Sequence, residues 1–212
     1  MAKVSTYPVN TTPALTDRLL LLDDPAGSPA INTVALSYIQ PTLNRSRLVF
    51  YTNTAKTIVN SSSETTLLET ATVGSYTFAA NSFAANDYIR IRATGTLNTI
   101  GSPGDLTLNA KFGSQVIATS NAVTLVASQV SVNTLFELEI ICLSPGASGS
   151  FVVEGYYISG DGNGTRISLS NGGTAVTVDS TVALTFNLTG QFSVADPSNI
   201  LNTRIISAER IY

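Results

Sequence analysis

SYTFAANSFAANDYIRIRATGTL, residues 75–97, decides the fold class. Its second half alternates. Ile89, Ile91 and Ala93 point one way while Tyr88, Arg90, Arg92 and Thr94 point the other, the period of two of a strand buried on one face. The first half, Phe78 to Asp87, is small and polar and breaks at Ala-Asn-Asp, which suits a short crossing loop. An arginine pair on the open face of a strand with an apolar inner face predicts an antiparallel sandwich with one wet side.

Working outward, the same texture holds from Arg47 to the end. Strands are predicted at 47–52 (RLVFYT), 65–73 (TTLLETATV), 76–78 (YTF), 88–97, 105–113 (DLTLNAKFG), 115–120 (QVIATS) and 133–144 (NTLFELEIICLS). They continue at 150–159 (SFVVEGYYIS), 165–170 (TRISLS), 179–193 (DSTVALTFNLTGQFS) and 202–212 (NTRIISAERIY). Leu106, Leu108, Ala110 and Phe112 share one face, as do Phe136, Leu138, Ile140 and Cys142, and Val182, Leu184, Phe186 and Leu188. Gly101–Gly104, Pro145-Gly146, Gly160–Gly164, Asn171–Gly173 and Asp196-Pro197 supply the turns. Short strands without a helical period predict an all-β, antiparallel jelly-roll β-sandwich.

Residues 1–44 differ. They hold five of the eight prolines, with a short apolar run, Leu19 to Leu22, ended by Asp23-Asp24-Pro25. Val34, Ala35, Leu36, Tyr38 and Ile39 suit one or two helical turns ending before Pro41. So few apolar groups cannot support an independent core, so this segment is predicted to be an extended arm that orders on a partner. The expected division is an arm, 1–44, and a sandwich domain, 45–212.

Composition excludes several functions. Net charge is −3 and the eleven basic residues are scattered, so the basic footprint of a nucleic-acid binder is missing. No histidine is present, which removes Ser-His-Asp and Cys-His catalysis and histidine zinc sites. The one cysteine, Cys142, lies in an apolar run and reads as a buried, inert thiol. No signal peptide or membrane-spanning run is visible, so synthesis without a sorting signal and no membrane insertion are expected.

Each polar motif has a plainer account. Asp161 and Asn163 in GDGNG suggest a calcium loop, but no closing Glu follows and a hairpin turn explains them. Asp23-Asp24 reads as a solvated turn. Glu137 and Glu139, about 7 Å apart along one strand face, fall within glycosidase spacing, yet two solvated charges account for them. Arg90 and Arg92 with Tyr88 would recognise a carboxylate or sugar; cross-strand pairs to Glu137 and Glu139 explain them equally. Phe151, Tyr156 and Tyr157 suit a glycan-binding floor or, more simply, core packing. Large apolar groups on both faces of some strands, including one of Leu67/Leu68 and one of Ile205/Ile206, predict subunit contact.

TPALTDRLLLLDDPAGSPAINTVALSYI (12–39) resembles the attachment arm that opens many tailed-bacteriophage fibre and head-decoration proteins. The matching features are a Pro-rich lead, Asp17 followed by aliphatics to Leu22, a turn at Gly27, and a closing segment with Val34, Leu36 and Ile39. The remainder resembles the jelly-roll heads of phage structural proteins, with FAANSFAANDYIRIRATGTL (78–97) as a pause, a strand of alternating Ile and Arg and a Gly-Thr step. IISAERIY (205–212) closes the sandwich. The resemblance implies a virion protein that is a homotrimer, docked by its arms on a capsid or tail protein and released by assembly and lysis. Without a shaft, collagen repeat or heptads, it implies a squat capsid decoration (cement or head-fibre) protein. Leu19, Leu20, Leu21, Leu22, Val34, Leu36 and Ile39 are the expected docking contacts. The alternative is a short tail-fibre or receptor-binding protein, with Tyr88, Arg90, Arg92, Asp161 and Asn163 meeting a host surface glycan. Neither role requires an enzyme activity or a cofactor.

Overall fold

A computed structural model of the chain describes residues 18–22, 31–35, 46–68, 73–74, 76–160 and 166–211. Two compact units emerge, Met1–Arg45 and Ser46–Ile211. In the first, β1 (Arg18–Leu22) pairs antiparallel with β2 (Ile31–Ala35), setting Leu19 opposite Val34 and Leu22 opposite Ile31. Val34 and Ala35 are therefore extended, in keeping with an extended arm and not in the helical turn their spacing also allowed; β-branched Ile31, Thr33 and Val34 favour that conformation. Leu36 and Ile39 lie outside the described residues.

The second unit is all-β. Its strands are β3 (Ser46–Thr52), β4 (Lys56–Val59), β5 (Thr65–Thr66), β6 (Val73–Gly74), β7 (Thr77–Phe78), β8 (Tyr88–Asn98) and β9 (Asp105–Phe112). They continue with β10 (Gln115–Thr124), β11 (Val132–Ser144), β12 (Gly149–Ser159), β13 (Arg166–Ser168), β14 (Val176–Val178), β15 (Leu184–Phe192) and β16 (Ile200–Ile211). One sheet of nine strands runs β13-β12-β11-β8-β16-β3-β6, with β14 on β12 and β4 on β16; a sheet of five runs β10-β9-β15-β5, with β7 on β15. The order β3-β16-β8-β11 against β5-β15-β9-β10 is that of a jelly roll, two Greek keys rolled into a sandwich, with β12 to β14 added beside β11.

The inner faces meet in one core. Phe50, Phe78, Phe83, Phe112, Phe151 and Phe186 are buried and in contact across the two sheets. Phe112 is their hub, with ring centroids 5.8 Å from Phe78, 6.0 Å from Phe83, 5.9 Å from Phe151 and 6.2 Å from Phe186. Cys142, Phe151 and Tyr157 are buried there too, and burial pushes the Cys142 thiol up.

Three local expectations change. The segment 65–73 is broken after Thr66, and both Leu67 and Leu68 are buried, because outside a ladder adjacent side chains need not alternate. The strand expected from residue 179 begins at Leu184; Asp179 accepts hydrogen bonds from the Thr181 amide and hydroxyl in a local turn, leaving Val182 51% exposed. Lys56–Val59 forms a strand of four residues that was too short for a periodic signal.

Candidate functional site

The two outer faces of the sandwich differ. The five-stranded sheet shows Thr107, Asn109, Lys111, Thr185, Asn187 and Gln191. Most of these groups bond to β5, to the loop before it and to β7: Thr66 donates to Asn187 at 2.6 Å, Gln191 donates to the Ser62 carbonyl at 2.6 Å, and the Thr185 hydroxyl lies 2.9 Å from that of Thr77. Glu64 accepts from Lys111 at 2.6 Å, Thr189 at 2.6 Å and Asn109 at 2.9 Å. The Lys111 bond foremost, then the Thr189 bond, hold the Glu64 carboxyl down to about 2.

Because that value lies below the ordinary 4.5, the network stabilises the fold fully above about pH 4.5, and the contribution is lost as pH falls through about 2. Water screens this partly exposed group, so the contribution is on the order of 1 kcal/mol. Glu64→Gln is expected to lower stability by about that much at pH 7 and by only about a quarter of it near pH 2.5. Denaturant unfolding at both pH values checks it; an equal loss at both would contradict the network.

The nine-stranded sheet shows a different surface. Of the nine large apolar side chains exposed among the described residues, Leu48, Val59, Ile141, Leu143 and Ile205 lie on this face, and only Val116 lies on the other. Register sorts the face into rows running across the strands. Ile211, Tyr88, Ile141 and Val152 make one apolar row, and Ile205, Thr94, Leu135 and Ile158 make another. Between them lie Glu209, Arg90, Glu139 and Glu154, then Ser207, Arg92, Glu137 and Tyr156.

Two of the predicted recognition residues, Arg90 and Arg92, sit in this ionic band, and Tyr88 lies in the apolar row beside it. Arg92 reaches Glu137 at 3.1 Å and Arg90 reaches Glu139 at 3.4 Å, so each guanidinium has a cross-strand acid. Arg90 also donates to the Tyr88 hydroxyl at 3.2 Å and lies over its ring. Burial, then the Glu139 hydrogen bond, push the Tyr88 hydroxyl up. Such exposed pairs hold register more than they add stability. Asp161 and Asn163 lie outside the described residues.

Two recesses stand out among the described residues, one on this face and one where the two sheets approach. Beside the second apolar row is a groove of about 620 Å³ lined by Thr94, Leu135, Ile158, Arg204 and Ile205 among others. A bulge between Thr203 and Ile205 makes it, turning both Arg204 and Ile205 outward. Opposite the bulge the backbones come so close that a Cβ on Gly95 would lie 1.7 Å from the Asn202 carbonyl oxygen. That fixes the Gly-Thr step of the sequence to this place. Sequence reasoning missed the groove, since nothing in Asn202-Thr203-Arg204-Ile205 signals a bulge.

The second recess, about 440 Å³, lies where the sheets approach through a bridge between Thr119 and Ser170. Thr119, Ser120, Asn121, Ser168, Ser170, Asn171 and Gly172 line it, all hydroxyl, amide or backbone groups. Residues about fifty positions apart build it, so no spacing in the chain announces it.

Neither a family model nor a curated protein matches the chain. Among solved structures, the CBM2 module of the evolved Dit of Lactobacillus casei BL23 phage J-1 aligns at 12% identity and TM-score 0.36, covering 79% of this chain and 96% of that one. Arcelin-5, a lectin-like defense protein from Phaseolus vulgaris, aligns at 7% identity and TM-score 0.40, over 79% of this chain and 99% of its own. The infectious bursal disease virus VP2 subviral particle aligns at 12% identity and TM-score 0.33, over 93% of this chain and 38% of that chain. At TM-scores below 0.5 these likenesses assign no function.

Proposed function

We propose that this chain is a non-enzymatic structural protein of a phage particle, a homotrimeric capsid decoration of the cement or head-fibre kind. Residues 45–212 form the projecting head, and residues 1–44 dock it on a capsid or tail protein. The observation that carries the reading is the division of the chain. Every described core residue lies between Phe50 and Ala208, while the leucine-bearing strand β1 pairs only with β2 among the described residues. On this reading Leu19 to Leu22 and Val34 are the docking contacts. Three arms tied into one trimer gain avidity although each holds weakly.

Particles assembled with a chain lacking residues 1–44 are expected to carry none of it, while the shortened chain still folds and associates. Full occupancy of the particle by the shortened chain would refute docking through the arm.

The recess lined by Thr119, Asn121, Ser168, Ser170 and Asn171 favours a second reading, a short tail-fibre or receptor-binding head that takes a host surface glycan. Uncharged hydroxyl and amide groups match the hydroxyls of a neutral saccharide. Substituting Asn121 and Asn171 would then abolish adsorption while particles stay complete.

A further inference from the structure

Which surface joins the copies follows from the asymmetry of the two outer faces, given the homo-oligomer proposed above. We propose that copies of this chain pack through the outer face of the nine-stranded sheet, about an axis running along strands β8 and β11.

The charges on the face are ordered by strand. β8 carries both arginines, Arg90 and Arg92, and β11 beside it carries both glutamates, Glu139 and Glu137, level with them. A cyclic axis along the strands keeps each row level with the same row of the next copy. It also brings the β8 side of one copy against the β11 side of its neighbour. Arg92 then meets the partner's Glu137 and Arg90 the partner's Glu139, apolar rows meet apolar rows, and the one like-charge approach, Glu209 level with the partner's Glu154, falls at the rim. An axis across the strands would instead stack arginine on arginine, a destabilising arrangement. The rows thus choose both the occupant, a second copy, and its direction.

Apolar content points to the same face. Ile205 is 54% exposed and Leu143 48% in the single chain, and Leu135 and Ile158 flank the groove beside Ile205. Four central strands at about 4.8 Å spacing and six rows at about 6.8 Å give a face on the order of 780 Å². That is close to the ~800 Å² per partner of a stable interface. The five-stranded sheet, whose polar side chains are mostly engaged by Glu64, Ser62, Thr66 and Thr77, stays in water.

Light scattering on the full chain and on full-chain variants tests this. The unaltered chain is expected to be oligomeric, Ile205→Asp to fall to the mass of one chain, and Thr107→Asp on the opposite face to keep the oligomer mass. Arg92→Glu and Glu137→Arg, each weakening the oligomer alone, are expected to restore it when combined in one chain, since every β8–β11 contact around the ring then pairs opposite charges again. That recovery also shows that the exchanged pair is compatible with the fold. An Ile205→Asp chain with the oligomer mass overturns the assignment of this face and leaves the oligomer standing. So does loss of the oligomer only when residues 1–44 are removed, which would make the arm the joining element. A monomeric unaltered chain overturns this inference and the homotrimer reading together.

Discussion

Phe112→Ala is expected to lower the stability of the sandwich by about 3–5 kcal/mol, among the largest losses a single substitution produces here. The ring is almost wholly buried at the end of β9 and touches Phe78, Phe83, Phe151 and Phe186. Those partners come from β7, the crossing loop, β12 and β15, so one side chain ties both sheets and the loop together. Truncation removes apolar area and leaves a cavity that surrounding rings, held edge-on, cannot all close. Phe112→Leu keeps most of the volume and should cost about 1–2 kcal/mol. Chemical denaturation measures both; a loss below about 1 kcal/mol for the alanine variant would mean that the sheets do not meet through this cluster.

Arg210→Ala should cost about 3–5 kcal/mol, for a different reason. Arg210 on β16 pairs with Asp87, donates to the Ser82 carbonyl at 2.7 Å and lies over the Phe83 ring. The two side chains are only 14% and 10% exposed. Asp87 also accepts from the Ala84 amide at 2.6 Å, so the carboxylate fastens the loop between β7 and β8 to the last strand. Removing the guanidinium strands a largely buried carboxylate, whereas Arg92→Ala, at an exposed pair, should cost under about 0.5 kcal/mol. If the two variants lost equal stability, burial would not be what gives the Arg210 pair its weight. Adding Asp87→Ala to Arg210→Ala should restore part of the loss, since the stranded charge is gone.

The contrast between these arginines shows what the chain discloses in advance. Alternation along Tyr88–Thr94 and Leu135–Cys142 fixes which residues face the core, because strand period is a local property. The pairing of Arg90 with Glu139 and Arg92 with Glu137 was also legible, since two basic and two acidic residues at the same spacing fit one ladder. The Arg210–Asp87 pair was not, because its partners are joined only by the closure of the sandwich. Leu67 and Leu68 misled for a related reason: the alternation rule was applied where the ladder had already ended at Thr66. The bulge at Arg204 and the recess at Thr119 and Ser170 arise from register and closure, which no short window contains. For the arm, the leucine run was visible and its pairing with Ile31–Ala35 was not, because the local pattern fitted a helical turn as well as a strand.

The central claim is that the head alone forms the trimer and leaves the arm free to dock. The most direct measurement is the solution mass, by light scattering, of the full chain beside a chain lacking residues 1–44. Three copies in both is the predicted result; a single copy in both would contradict the trimeric virion reading and leave a monomeric binding module in its place.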